Sequence, residues 1–319
     1  MKVSSAIAAL CALLFAGAAQ AFPDRPITVI VPFAAGGGAD TFTRSFAAGF
    51  EKELGVPVTI VNRTGFGGIT GHSAIISAPP DGYTLGVASP EIAFYKLRGV
   101  GTIAPGDLDL VSRTALLPAG LTVRADAPWK TLDEFLADLN AKPKGTLTAS
   151  GGPTGGSWHI ALGGFLKAAG LEADHVTWTP NPGSAASLLD LQSGGIDVFA
   201  GSAVDTKALH EAGRLRTLVV MTDGPSPFFP GLPTAIDQNV HYTYSNWYAL
   251  VAPKGLPPER RARIADAAKK ALARPEVEAA LKRRGVQPVW DDGTAFTDEM
   301  YSFLGRGEII LYELGVAKR

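Results

Sequence analysis

Apolar and polar positions along this chain switch between two periods. Ile27-Thr28-Val29-Ile30-Val31 is a short β-rich run that stops at Pro32-Phe33. From about Thr41 to Leu54 the period becomes helical, with Phe42, Phe46, Ala47 and Phe50 on one face and Gly55 as the stop. Val58-Thr59-Ile60-Val61 predicts a second strand. The glycine-rich stretch Asn62–Gly71 and a short helix to about Ala78 follow, and Pro80-Asp81-Gly82 turns the chain into a third strand, Tyr83–Ala88. Strands alternating with helices predict a parallel sheet with right-handed crossovers. Ligands of such sheets bind outside the carboxyl ends of the strands. The loops Phe33–Asp40, Asn62–Gly71 and Ala88–Pro90 all leave such ends.

A second α/β set begins after Leu121-Thr122-Val123. It holds a helix at Thr131–Ala141, a strand at Thr146–Ser150, the turn Gly151-Gly152-Pro153-Thr154-Gly155-Gly156 and a helix at Ser157–Gly170. His175–Trp178 is the next strand, followed by a loop to Pro182-Gly183-Ser184, a helix at Ala185–Gln192, and strands at Ile196–Ala200 and Leu215–Met221. Tyr244–Val251 is apolar enough for a buried strand. Pro257–Ala273 and Pro275–Arg284 are helices, the second with Glu276 and Glu278 at its start and Lys282, Arg283 and Arg284 at its end, the order its dipole favours. The run Arg260-Arg261-Ala262-Arg263 reads as a solvated helix face.

The N-terminus adds a compartment. Lys2, an apolar run from Ala6 to Ala19, and Ala19-Gln20-Ala21 make a secretory signal pattern, with cleavage expected after Ala21 and export to the periplasm. About 14 apolar residues are too few to span a bilayer. The single cysteine, Cys11, lies in this leader, so the exported chain has no disulfide framework and no cysteine metal site.

Length and charge then narrow the class. A chain of 319 residues, 46% hydrophobic and 18% charged, suits two globular domains. With 29 Lys+Arg against 30 Asp+Glu it lacks the basic surplus that nucleic acid demands.

Three glycine-rich turns each precede a helix: Gly36–Gly38, Gly151–Gly156 and Pro182–Ser184. A helix start offers unpaired N–H groups and a partial positive charge, so it holds an anion without Lys or Arg. Enzymatic readings fare worse. In Gly65–Gly71 the third glycine of a dinucleotide loop falls on Thr70, and no G-x-x-x-x-G-K-[ST] loop exists. Ser157 and His159 are two apart on a helix and point different ways, and there is no G-x-S-x-G elbow. His72, His159, His175, His210 and His241 are scattered without metal spacing. His159 reads either as a donor to a ligand or as a packed histidine between domains. Asp40 is expected to cap the helix or anchor the loop. Trp158, Trp178 and Trp247 are core or cleft wall. No cofactor, metal or catalytic residue is expected.

Pro32–Arg44, Asn62–Gly71, Pro80–Thr84, Ser150-Gly151-Gly152 with Ser157 and His159, the Gly183–Gly194 helix with Gly195-Ile196-Asp197, Gly213–Arg216, Leu232-Pro233-Thr234 and Trp247–Pro253 occur in this order. Together they resemble the tripartite tricarboxylate transporter substrate-binding (Bug-type) periplasmic receptors. The resemblance covers essentially the whole chain after the leader.

It implies an α/β, two-domain Venus-flytrap fold of the type II periplasmic-binding-protein class. Domain one would comprise 22–122 and 245–319, domain two 123–244, with crossing strands near Leu121–Arg124 and Tyr244–Val251. It implies a grip on a ligand carboxylate through backbone amides and water, from Phe33, Ala35, Gly36 and Gly37 on one side and Ser150, Gly152, Ser157, His159, Gly183 and Ser184 on the other. Ser89 is a further contact. Partners would be a small carboxylate and the permease subunits of a tripartite membrane transporter, with the receptor acting as a monomer. An exported receptor feeding a signalling protein is the alternative. The chain departs from the family at Trp178–Gly183, at Ala35-Gly36-Gly37 (often Pro-Gly-Gly) and near Gly201-Ser202, where an acidic residue is frequent.

Overall fold

The computed structural model describes residues 22–318; the expected leader lies outside the described residues. In chain order the main elements are β1 (Ile27–Val31), α1 (Gly38–Leu54), β2 (Val58–Asn62), α2 (Ile69–Ile76), β3 (Thr84–Ala88), α3 (Glu91–Phe94) and β4 (Leu108–Arg124). Then come α4 (Leu132–Ala141), β5 (Thr148–Ser150), α5 (Ser157–Ala168), β6 (Thr177–Trp178), α6 (Ser184–Ser193), β7 (Val198–Ser202), α7 (Lys207–Glu211) and β8 (Leu215–Val220). The chain ends with β9 (Ser245–Pro253), α8 (Pro258–Leu272), α9 (Pro275–Arg283), β10 (Gln287–Asp292) and α10 (Gly293–Glu313).

β2, β1 and β3 pair in parallel, as do β6, β5 and β7. The expected parallel character holds for those two sets, but the strands that join them are antiparallel. β9 lies against β3 and against β4, and β10 against β4. β4 starts at Leu108, well before the Leu121 the pattern marks. Residues 108–118 pair with β9, and residues 119–124 pair with β7 or β8. A single strand therefore serves both α/β lobes. Tyr244 adds a second tie, its carbonyl accepting from the Ala119 amide and its amide donating to the Met221 carbonyl.

The α1 face predicted from spacing is the one that packs. Phe42, Phe46, Phe50 and Leu54 are buried, the three rings stacked in sequence. Each such side chain contributes roughly 1.5–3 kcal/mol by leaving water. Gly49 admits α9, since a Cβ there would stand 2.6 Å from Val277 Cγ2. Gly55 ends the helix in the left-handed region, its amide reaching the Glu51 carbonyl.

α10 straps the two lobes from behind. Gly307 lies under Phe94 of lobe one, Ile310 packs on Gly163 of α5, and Glu313 pairs with Lys167 at 2.7 Å. No described helix is long and apolar enough to cross a membrane.

Candidate functional site

The loop after β1 is fixed by one buried carboxylate. Asp40, in the first turn of α1, accepts from the Gly36 amide (2.8 Å), Arg44 Nε (3.0 Å) and Asn62 Nδ2 (3.0 Å), and Asn62 Nδ2 also donates to the Phe33 carbonyl (2.9 Å). Burial pushes this carboxyl up, but the bonds from Arg44, Gly36 and Asn62 outweigh it and hold Asp40 below its ordinary value. The anchoring role expected from sequence is the one the structure shows. It also commits amides: Gly36 donates to Asp40, and Gly37 donates to the Ala34 carbonyl. Among the described residues, the amides left without a protein acceptor at this helix start are those of Gly38, Ala39 and Asp40.

Two helix starts in lobe two present the same opening. In α5 the first backbone bond is Ile160 to Gly156, leaving Ser157, Trp158 and His159 amides free among the described residues. In α6 it is Ser187 to Gly183, leaving Ser184, Ala185 and Ala186. Gly151 lets the loop before α5 sit on β7, because a Cβ there would overlap the Ala200 carbonyl. Gly152 accepts from Trp178 Nε1 (3.2 Å) and from the Asn181 amide (3.0 Å), which ties the loops before α5 and α6 together.

The side chains on this surface are mostly committed to one another. Ser150 Oγ lies 3.0 Å from Ser187 Oγ, Ser89 Oγ donates to Glu91 Oε2 at 2.6 Å, and Ser157 Oγ is 2.8 Å from Tyr244 Oη. Phe33 is half-buried, its ring edge-on to His72, while Ala35 and Gly36 are exposed and Gly37 is half-exposed. Gly183 and Ser184 are partly exposed at the α6 start. Trp158 packs against both hydrophobic cores and forms a wall between lobes; Trp247 is core.

His159 is placed apart from these residues. Its Nδ1 accepts from the Gly155 amide (3.0 Å) and its ring stacks on Trp178 at 4.5 Å. It faces a hollow bordered by Lys144, Asp174, Leu314 and Val316. Burial holds its pKa down at about 4, so the ring is neutral at ordinary pH.

Three further polar groups, near the ends of β3 and β7 and under the α1 start, carry no sequence signal. Tyr248 is 8% exposed, its hydroxyl has no partner among the described residues, and it points at the α1 start, 2.5 Å from where a Cβ on Gly38 would be. Glu91 opens α3 at the end of β3. Asp205 lies in the turn after β7 and is exposed. Such residues emerge only when strand ends from distant parts of the chain meet.

Another cavity, of about 480 Å³, lies behind the crossover, against α10. Its cations are already used, with Arg113 on Asp291, Lys167 on Glu313 and Arg306 on Glu299. It is the poorer anion site.

The family model described as the tripartite tricarboxylate transporter family receptor matches residues 42–310. A solved TctC solute-binding protein from Polaromonas is 30% identical, with a TM-score of 0.78 over 91% of this chain and 99% of its own. An R. palustris protein solved with adipate is 27% identical, TM-score 0.81, covering 93% and 99%. MatC from Rhodopseudomonas palustris with bound malate is 25% identical, TM-score 0.76, covering 91% and 100%. These neighbours share the α/β two-lobed periplasmic-binding architecture described above. The chain is a member of the tripartite tricarboxylate transporter receptor family.

Proposed function

We propose that this protein is a periplasmic receptor that closes on a small carboxylated metabolite and delivers it to the membrane permease of a tripartite tricarboxylate-type transporter. It binds without covalent chemistry. The observation that carries this reading is the set of helix starts α1, α5 and α6, drawn from both lobes, with first-turn amides that no group among the described residues occupies. Open amides at a helix start attract an anion, which completes their hydrogen bonds. The neighbours solved with malate and with adipate support the same ligand class.

The lobes of this reading are residues 22–122 with 245–319, and 123–244, turning about β4 and the Tyr244–Val251 segment. Ala35, Gly36 and Gly37 shape the first rim and Phe33 walls it, while the open amides of Gly38 and Ala39 take the carboxylate. Ser89, Ser150, Gly152, Gly183 and Ser184 line the facing surfaces. Ser157 and His159 act through their backbone amides, since their side chains are engaged elsewhere.

Each charge-assisted bond contributes roughly 1.5–3 kcal/mol. Four or five of them exceed an association cost of about 4–15 kcal/mol only if the lobes close and exclude water. Affinity then follows the open–closed balance as well as the contacts. A thermal-shift screen of mono-, di- and tricarboxylates of two to eight carbons, each beside its amide, tests the reading. Stabilisation by acids and not by amides is expected; an equal response to both, or none to any acid, removes carboxylate capture.

A further inference from the structure

The hollow of about 480 Å³ behind the crossover has the size of a small-molecule site. Pro118, Tyr244 and Ser245 border it, and these mark the two places where the chain passes between lobes. α5 supplies Ile160, Gly164 and Lys167, and α10 supplies Phe303, Gly307 and Ile310. Both lobes and the strap that joins them therefore meet on one cavity.

Its chemistry differs from that of the cleft. The Tyr244 and Phe303 rings lie 5.4 Å apart, and Trp247 stands edge-on to Phe303 at 6.3 Å, which gives an aromatic wall. Ile309, 59% exposed, is an apolar side chain at the mouth. The bordering cations are spent, Arg113 on Asp291, Lys167 on Glu313 and Arg306 on Glu299. The charge that remains is the Asp223 carboxylate, which repels an anion. A flat, uncharged ring system fits this lining better than a carboxylate does.

Two connections run from the hollow to the cleft. α5 opens on the cleft with Ser157, and its Gly164 and Lys167 reach the hollow roughly 10–15 Å further along the axis. Tyr244 borders the hollow, and its hydroxyl lies 2.8 Å from Ser157 Oγ in the first turn of that helix.

We propose that this hollow is a second binding site, for an uncharged planar molecule with an aromatic body, and that filling it favours closure of the cleft. The hollow and the cleft lie on opposite sides of the crossing segments, so lobes that come together in front part behind. A molecule wedged between α5, α10 and the crossover holds the back apart, and the closed lobes grip a carboxylate more tightly. Tyr244 carries the link, because a group packed against it also sets where Ser157 and the α5 start stand. The coupling rests on the carboxylate-receptor reading; the site does not.

Methyl-labelled protein titrated with indole, and separately with p-cresol, tests the site. The methyl signals of Ile160, Met221, Ile309 and Ile310 should move together and saturate. The expected Kd is on the order of 0.1 mM for a probe of about nine non-hydrogen atoms. Thr243 and Ile309 are exposed at the mouth. Thr243→Trp combined with Ile309→Trp should keep the melting temperature and weaken indole by roughly tenfold or more. Either substitution alone should weaken it in part.

The strongest acid of the thermal-shift screen, with adipate and succinate as first probes, is then titrated calorimetrically with and without saturating indole. Indole should raise the acid's affinity by roughly fivefold or more, and the acid should raise that of indole by the same factor. Tyr244→Phe, measured well below its melting temperature, keeps the ring and should still take indole, but the mutual gain should vanish.

Shifts that scatter over the surface or fail to saturate overturn the site, as does indole binding that survives both tryptophans. Indole that lowers the acid's affinity has entered the cleft, which overturns the proposal too. An unchanged acid affinity, or a gain that Tyr244→Phe preserves, overturns the coupling. If no acid of the screen binds while indole fills the hollow, the receptor reading and the coupling fall together and the site stands.

Discussion

Ser157 Oγ and Tyr244 Oη lie 2.8 Å apart, both buried, and this contact fastens the first turn of α5 to the segment where the chain returns between lobes. The serine that sequence offers as a ligand contact thus spends its hydroxyl on the scaffold. Ser157→Ala leaves the Tyr244 hydroxyl buried without its partner, which costs about 1–3 kcal/mol. Urea denaturation should show that loss. Tyr244→Phe should cost a similar amount, and the double variant little more than either single one, because both remove the same bond. Additive losses would show that the two hydroxyls act separately.

Two glycines of lobe two make opposite predictions. A Cβ on Gly151 would overlap the Ala200 carbonyl, a backbone atom that cannot step aside. Gly151→Ala should destabilise the protein by more than about 3 kcal/mol or abolish soluble expression. Gly183 has an extended backbone, and among the described residues nothing lies within 4 Å of where its Cβ would stand. Gly183→Ala should keep stability within about 0.5 kcal/mol. Any loss it causes should appear in carboxylate affinity, read by titration beside the melting curve.

Legibility in the sequence follows how local each feature is. β1, α1, β2, β3, α8 and α9 came through because their periods are clean and their ends carry Gly or Pro, as at Gly55 and Pro275. The 17 residues of β4 did not, since Pro118 and Gly120 interrupt the run and two register shifts between Leu110 and Ala115 break its alternation. β10 carries Pro288 and two acids, and it exists only because β4 offers an edge. At the site, glycine turns before helices were readable, because they are short-range signals. Which of their amides stay open was not: Gly36 and Gly37 are consumed by Asp40 and Ala34, and the free groups begin one residue later. Tyr248 meets the α1 start at Gly38 across a chain separation that no local pattern records.

Tyr248 offers a sharper test of the α1 start. Its hydroxyl has no protein partner among the described residues, so Tyr248→Phe should leave the melting temperature nearly unchanged. Carboxylate affinity should fall about tenfold, the loss of one hydrogen bond to a charged group. Gly38→Ala alone should disturb the fold, because its Cβ would meet that hydroxyl at 2.5 Å. Adding Tyr248→Phe should recover part of the stability by removing the obstructing atom. Failure of that rescue would mean the glycine is needed for some other reason.

Two buried histidines set a pH limit on stability. Burial lowers the pKa of both His72 and His159 to about 4, against an ordinary value of 6.5. Between these values the unfolded chain binds more protons than the folded one, so stability rises with pH. The contribution is full above pH 6.5, drains as pH falls towards 4, and changes no further below that. Each ring accounts for up to about 3 kcal/mol over this window. Urea midpoints measured from pH 7.5 down to 4.5 should therefore decline. His159→Gln, whose side-chain carbonyl can still accept the Gly155 amide, should flatten part of the slope, and His72→Gln another part. A variant curve parallel to the wild type across the window would show that the ring titrates as freely in the folded protein as in the unfolded chain.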